Sequence, residues 1–239
     1  TFIQVVDGLR YLVDNFEEEK LPGGELVRLK MLQKQLLAVS TKVQMMGGTS
    51  FSFDEEAKRL YDAEPPFHEE SYFDSLLSLL DEKIPGEGNV AKRYNDYAKA
   101  FVIPKDKLDV VFRAAITEAR KRTDGYFQLP KDENFVLEYV NDKSWSGYNY
   151  YQGKSQSLIQ LNTDFPIFIE RAIDLACHEG YPGHHVFNAL LEQHLVDGKG
   201  WKEFSVYPLF SPQSLIAEGS ANYGIDVAFP GKERIKFEK

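Results

Sequence analysis

The chain has 239 residues, 43% of them hydrophobic, and a formal net charge of −9. That is enough apolar material for a real core, in one large domain or a helical part joined to a smaller one. The acidic balance excludes a surface built to neutralise phosphate, so nucleic acid and anionic membranes are not expected partners. The single cysteine, Cys177, rules out an internal disulfide and fits a reducing, cytoplasmic compartment. No apolar run approaches the roughly 20 residues that span a bilayer, and no leader is visible. Thr1 at the start and the charged stretch ending at Lys239 suggest a piece of a longer polypeptide.

Residues 1–123 read as a helical region and 124–239 as the region that carries the chemistry, in one continuous domain. Phe2 to Lys20 is apolar at helical spacing and stops at Pro22-Gly23-Gly24. Glu25 to Met46 puts Leu26, Leu29, Leu32, Leu36 and Val39 on one stripe and ends at Gly47-Gly48. Ser52-Phe53-Asp54-Glu55 has the pattern of a capping box and starts the next helix, which Pro65-Pro66 breaks. Tyr72 to Ile84 follows, with Leu76, Leu77, Leu79 and Leu80 expected inward. Pro104 opens an amphipathic helix with Leu108, Val111, Phe112, Ala115, Ile116 and Ala119 on one face. The pattern then changes. Phe135–Val140, Tyr148–Gln152 and Leu158–Leu161 read as strands, the last two joined by a polar turn at Gly153-Lys154-Ser155-Gln156. Helical patterning returns at Pro166–Glu179, Gly183–Val196 and Pro212–Ala228.

Three of the five histidines fall inside His178-Glu179-Gly180-Tyr181-Pro182-Gly183-His184-His185. Zinc takes His nitrogen and carboxylate oxygen, and a catalytic site keeps a position open for water. The usual helical arrangement is two His four apart with a Glu after the first. Here His178 and His184 are six apart. On a straight helix that is about 9 Å of rise and the wrong face, and the seven-residue step to His185 is about 10 Å. A distortion is therefore required. Pro182 lacks the N–H that would bond the His178 carbonyl, and Gly183 tolerates unusual dihedrals. A break or π-type bulge at Tyr181-Pro182-Gly183 would let His184 take the place of the second ligand. A Glu directly after the first histidine is what water activation needs, whereas structural zinc usually closes its shell with Cys or His.

This octapeptide resembles the His-Glu-x-x-Pro-Gly-His signature of the domain of unknown function 885 family, itself similar to the zincin-type metallopeptidases. The downstream Ala217-Glu218-Gly219-Ser220-Ala221-Asn222-Tyr223 resembles that family's Glu-Gly-x-Ala-x-Tyr segment, and the likeness runs from about Pro66 onward. It implies a mainly α, zincin-like fold with a small β-sheet or hairpin before the active-site helix. It implies zinc on His178, His184 and Glu218, with Glu179 as general base. The last His of the signature varies in the family, which favours His184 over His185 as ligand. His185 is then expected to contact substrate or stabilise the oxyanion. Ser220 stands where the family commonly has Trp, implying a differently shaped pocket.

The expected activity is zinc-dependent hydrolysis of a peptide, and a helical half that walls a deep cleft would favour short ones. The rivals are a hydrolase of non-peptide amides or esters, and a non-catalytic helical binding module with a relic metal site. Asn222 and Asp174, each one turn from a ligand, are candidates to hydrogen-bond a ligand histidine. Tyr148, Tyr150 and Tyr151 mark a strand that would pair with extended substrate or pack the core. Cys177 reads as a small buried residue, His194 as a solvent-facing one and His68 as a helix-start residue.

Overall fold

Local signals set many of the helix boundaries in the computed structural model, which describes residues 2–239. The chain is mainly helical with one small three-stranded sheet. Among the described residues no helix is long and apolar enough to cross a membrane. The chain divides into two compact units, one of residues up to 67 with 206–218, the other of 68–205 with 219–239.

The first unit contains α1 (Phe2–Asp14), α2 (Gly23–Met46) and α3 (Phe53–Tyr61). The expected capping box is present at α3: Glu55 N–H donates to the Ser52 hydroxyl, and the Glu55 carboxylate accepts from Ser52 N–H. In α2 the deepest positions are Leu29, Gln35, Ala38, Ser40 and Thr41, so the leucine stripe is only partly covered. Buried Gln35 is satisfied by a 2.7 Å bond from its amide to Gln213 Oε1. Helix α9 (Pro212–Ala228) starts where its chemistry predicts. Ser211 accepts from Ser214 N–H at 3.2 Å as the N-cap, and Pro212 occupies the first helical position.

The second unit contains α4 (Glu70–Lys83), α5 (Val90–Ala98), α6 (Leu108–Thr123), β1 (Asn134–Val140), β2 (Gly147–Gly153), β3 (Gln156–Asn162), α7 (Ile169–Leu175), α8 (His184–Leu191), the later part of α9, and α10 (Glu233–Glu238). The sheet order is β1-β3-β2, with β3 parallel to β1 and antiparallel to β2. Central β3 is the most buried strand. The β2–β3 turn places Lys154 and Ser155 at φ 53° and 54°. Two successive left-handed residues suit the right-handed twist of a hairpin. Glu192 fixes this turn, accepting from the Lys154 and Ser155 amides at 3.1 Å each and from the Tyr151 hydroxyl.

Helix α6 buries the expected face. Leu108 and Phe112 pack with Ile159, Leu161 and Leu175, and Ala115 and Ala119 pack with Ala176, Cys177 and Tyr181. These contacts tie α6 to the sheet and to the histidine segment. The boundary between the two compact units falls at residue 67, ahead of α6. The inward leucines of α4 are a correction: Leu76, Leu77 and Leu79 are 47%, 50% and 49% exposed. No residue of α4 is buried, because within this unit it packs mainly on the short α5, which the sequence reading did not find.

Candidate metal centre

Helix α7 does not run straight through the histidine segment. It widens into a π turn at Ala176–Gly180, and the chain then leaves helical geometry at residues 181–183 before α8 begins at His184. The hydrogen bonds record the widening. Tyr181 N–H reaches back five residues to Ala176 O at 3.0 Å, and Gly183 N–H reaches back six to Cys177 O at 2.8 Å. Regular spacing resumes with Phe187 N–H on Gly183 O. The Tyr181–Pro182 peptide is cis. The expected distortion is thus both a π turn and a break, with the break at the expected residues 181–183 and the π turn at Ala176–Gly180, just before them.

Gly183 is required by space. A Cβ there would lie 1.9 Å from the His178 carbonyl oxygen and 2.4 Å from that of Cys177. The carbonyl that Pro182 cannot bond occupies the volume a side chain at 183 would need.

The bend brings His178 Nε2 and His184 Nε2 to 3.2 Å, with the two rings nearly perpendicular at 83°. One ligand atom from each of His178, His184 and Glu218 lies within 4.8 Å of the others. Two nitrogens bound to tetrahedral zinc at about 2.0–2.1 Å stand about 3.3–3.4 Å apart, so the histidine pair fits that ion without rearrangement. Both histidines are half-buried and Glu218 is exposed. Burial, followed by the neighbouring His178, pushes His184 down to about 4. A neutral imidazole is the form that binds metal.

Glu179 is buried, and strand β2 runs tightly beside it. A Cβ on Gly147 would meet Leu175 Cδ2 at 2.9 Å and Glu179 Oε1 at 3.0 Å, and Asn149 Nδ2 donates to the Glu179 carbonyl at 2.8 Å. An edge strand with a glycine at this point is what lets a carboxylate sit between strand and helix. Tyr148 and Tyr150 pair at 4.5 Å on one face of β2, and Tyr151 is turned to Glu192 on the other.

His185 occupies a different place from the one expected. It is fully buried, with Nδ1 2.8 Å from the Ser157 hydroxyl and Nε2 2.8 Å from Glu133 Oε2. Its ring lies edge-on to Phe135 and Tyr181. A side chain with both nitrogens engaged and no exposed surface does not reach a substrate, so the expected contact with substrate or oxyanion is corrected. Asp174 pairs with Arg171, not with a ligand histidine, and Asn222 is exposed. His194 is exposed and His68 stacks on Tyr72 at 4.4 Å, both as expected of non-site residues. Glu133, Ser157, Gly147 and Asn149 were not found from sequence. Each lies far from the histidine segment along the chain, and only Gly147, at the start of a predicted strand, carried any signal.

Cys177 is buried beside His178, and burial pushes its thiol up to about 12. The native protein should therefore resist iodoacetamide at pH 8 and label only after unfolding, as read by intact mass. Rapid native labelling would contradict the packing described.

No family model and no curated protein matches the chain. Among solved structures it is similar to one from Colwellia psychrerythraea described as a candidate lipoprotein, with a TM-score of 0.53 and 14% identity. The match covers 98% of this chain and 47% of the other, so the chain spans about half the length of the structure it resembles. At that identity the likeness speaks for the fold alone.

Proposed function

We propose that the chain is the metal-binding core of a zinc-dependent peptidase of zincin-like type, akin to the domain of unknown function 885 family. The observation that carries this reading is the convergence of His178, His184 and Glu218 beside the buried Glu179. The donor set of two imidazoles and a carboxylate suits zinc with a position left open. A zinc ion in that place would acidify water and polarise a carbonyl.

The protein's own groups then have distinct tasks. His178, His184 and Glu218 hold the ion. Glu179 takes a proton from the attacking water and delivers it to the leaving amine. The backbone of edge strand β2 offers hydrogen bonds to an extended peptide, which favours peptides over other amides. His185 orients the segment from behind. Freshly purified protein should contain about one equivalent of zinc by elemental analysis, lost on His178→Ala or Glu218→Ala. Stoichiometric metal in both variants would sink the ligand assignment.

A further inference from the structure

Glu133 lies just before β1, outside every recognised motif, and its side chain is 1% exposed. Four donors converge on this carboxylate. Oε2 accepts from the Tyr181 hydroxyl at 2.6 Å and from His185 Nε2 at 2.8 Å. Oε1 accepts from Arg120 Nη2 at 2.6 Å and from Arg120 Nε at 3.0 Å. Because a carboxylate only accepts, His185 turns a protonated Nε2 toward Oε2, and its Nδ1 lies 2.8 Å from the Ser157 hydroxyl on the other side of the ring. The buried charge is therefore paired and its hydrogen-bonding capacity is used.

The two partners on Oε2 stand on opposite sides of Pro182-Gly183. Tyr181 ends the π-turn side and His185 lies in the first turn of α8, next to His184. Successive residues on a helix are about 100° apart, so fixing the His185 ring fixes the direction of His184. We propose that Glu133 is a positioning residue of the metal centre. By gripping Tyr181 and His185 together it holds the Pro182-Gly183 bend in the shape that returns His184 to His178. The inference rests on reading His178, His184 and Glu218 as a metal site, but the clamp itself is a property of the protein without metal. Arg120 and Ser157 complete it, anchoring the bend to α6 and β3. A residue that merely filled space would not need directional bonds to both sides of a bend, since apolar groups of similar volume serve packing as well.

The test is Glu133→Gln, which keeps the volume but cannot accept from all four donors. Two readouts apply. In metal-free protein, hydrogen exchange at the Tyr181 and Gly183 amides, which bond Ala176 O and Cys177 O, should quicken by about tenfold or more. With cobalt as the probe ion, affinity should fall by about 10- to 100-fold and the visible absorption band should change shape. Tyr181→Phe, which deletes one hydroxyl, should move both readouts the same way by less. It also carries the test should Glu133→Gln fail to fold. Unchanged exchange at both amides, with cobalt affinity within about twofold of the parent protein, overturns the clamp. If the parent protein binds neither cobalt nor zinc, the metal-site reading fails, and the exchange comparison alone decides whether the clamp exists.

Discussion

Glu179→Gln should leave zinc bound and lower the turnover of a short peptide by about 100- to 10,000-fold, the usual worth of a positioned base. The amide has the shape of the carboxylate. It can keep the close fit against Gly147, and the bond from Asn149 to the residue 179 carbonyl is untouched. What it loses is the capacity to take a proton from water. The measurement pairs metal content with kcat on whichever peptide the parent protein cleaves best, run beside a panel of acylated small molecules. A variant with full metal and kcat within about tenfold of the parent would remove Glu179 from the base role. Faster cleavage of the acylated compounds than of any peptide would favour the rival non-peptide hydrolase.

Among the glycines, Gly183→Ala should have the largest structural effect. The new Cβ would lie 1.9 Å from the His178 carbonyl oxygen, and the obstacles are backbone atoms that cannot swing aside. Either the π turn or the start of α8 must move, and both carry a histidine of the candidate centre. The expected cost is about 3 kcal/mol or more in unfolding free energy, at the upper end for overpacking. Metal binding should be lost even in the fraction that folds. Gly219→Ala is the control, because nothing lies within 4 Å of its Cβ position and it sits inside α9. There alanine should gain up to about 1 kcal/mol from helix propensity. Chemical denaturation of the two variants, read side by side, separates local crowding from a general intolerance of change. Equal stabilities would mean the bend is softer than its contacts indicate.

The legible parts of this protein were those decided within a few residues. Ser52 with Glu55 announced a helix start, Pro104 preceded the α6 stripe, and the polar turn at 153–156 linked two strands. The clash between the six-residue His178–His184 spacing and a straight helix even foretold a distortion at Pro182-Gly183. What stayed hidden depends on which elements meet. The leucines of α4 have the pattern of a core face, yet within its unit the helix packs mainly on α5. Glu133 looks like an ordinary charged residue before a strand, and its importance comes from partners as far as 52 positions along the chain. His185 shows the same limit from the other side. Its place in the motif suggested chemistry, and only the convergence of Ser157 and Glu133 on its ring shows that it is enclosed.

Helix α9 carries its message in missing volume. The positions it buries after Glu218 are Ala221, Gly224 and Ala228, and a Cβ on Gly224 would already touch Cys177 O and Pro182 Cδ at 3.4 Å. The smallness of these residues acts as a gauge that sets how near the helix axis comes to the bent segment. Side chains with almost no chemistry of their own thus decide how closely this part of the helix packs on the bend. In a saturation scan this stretch should tolerate changes of polarity better than changes of size, a pattern opposite to that of the ligands it serves.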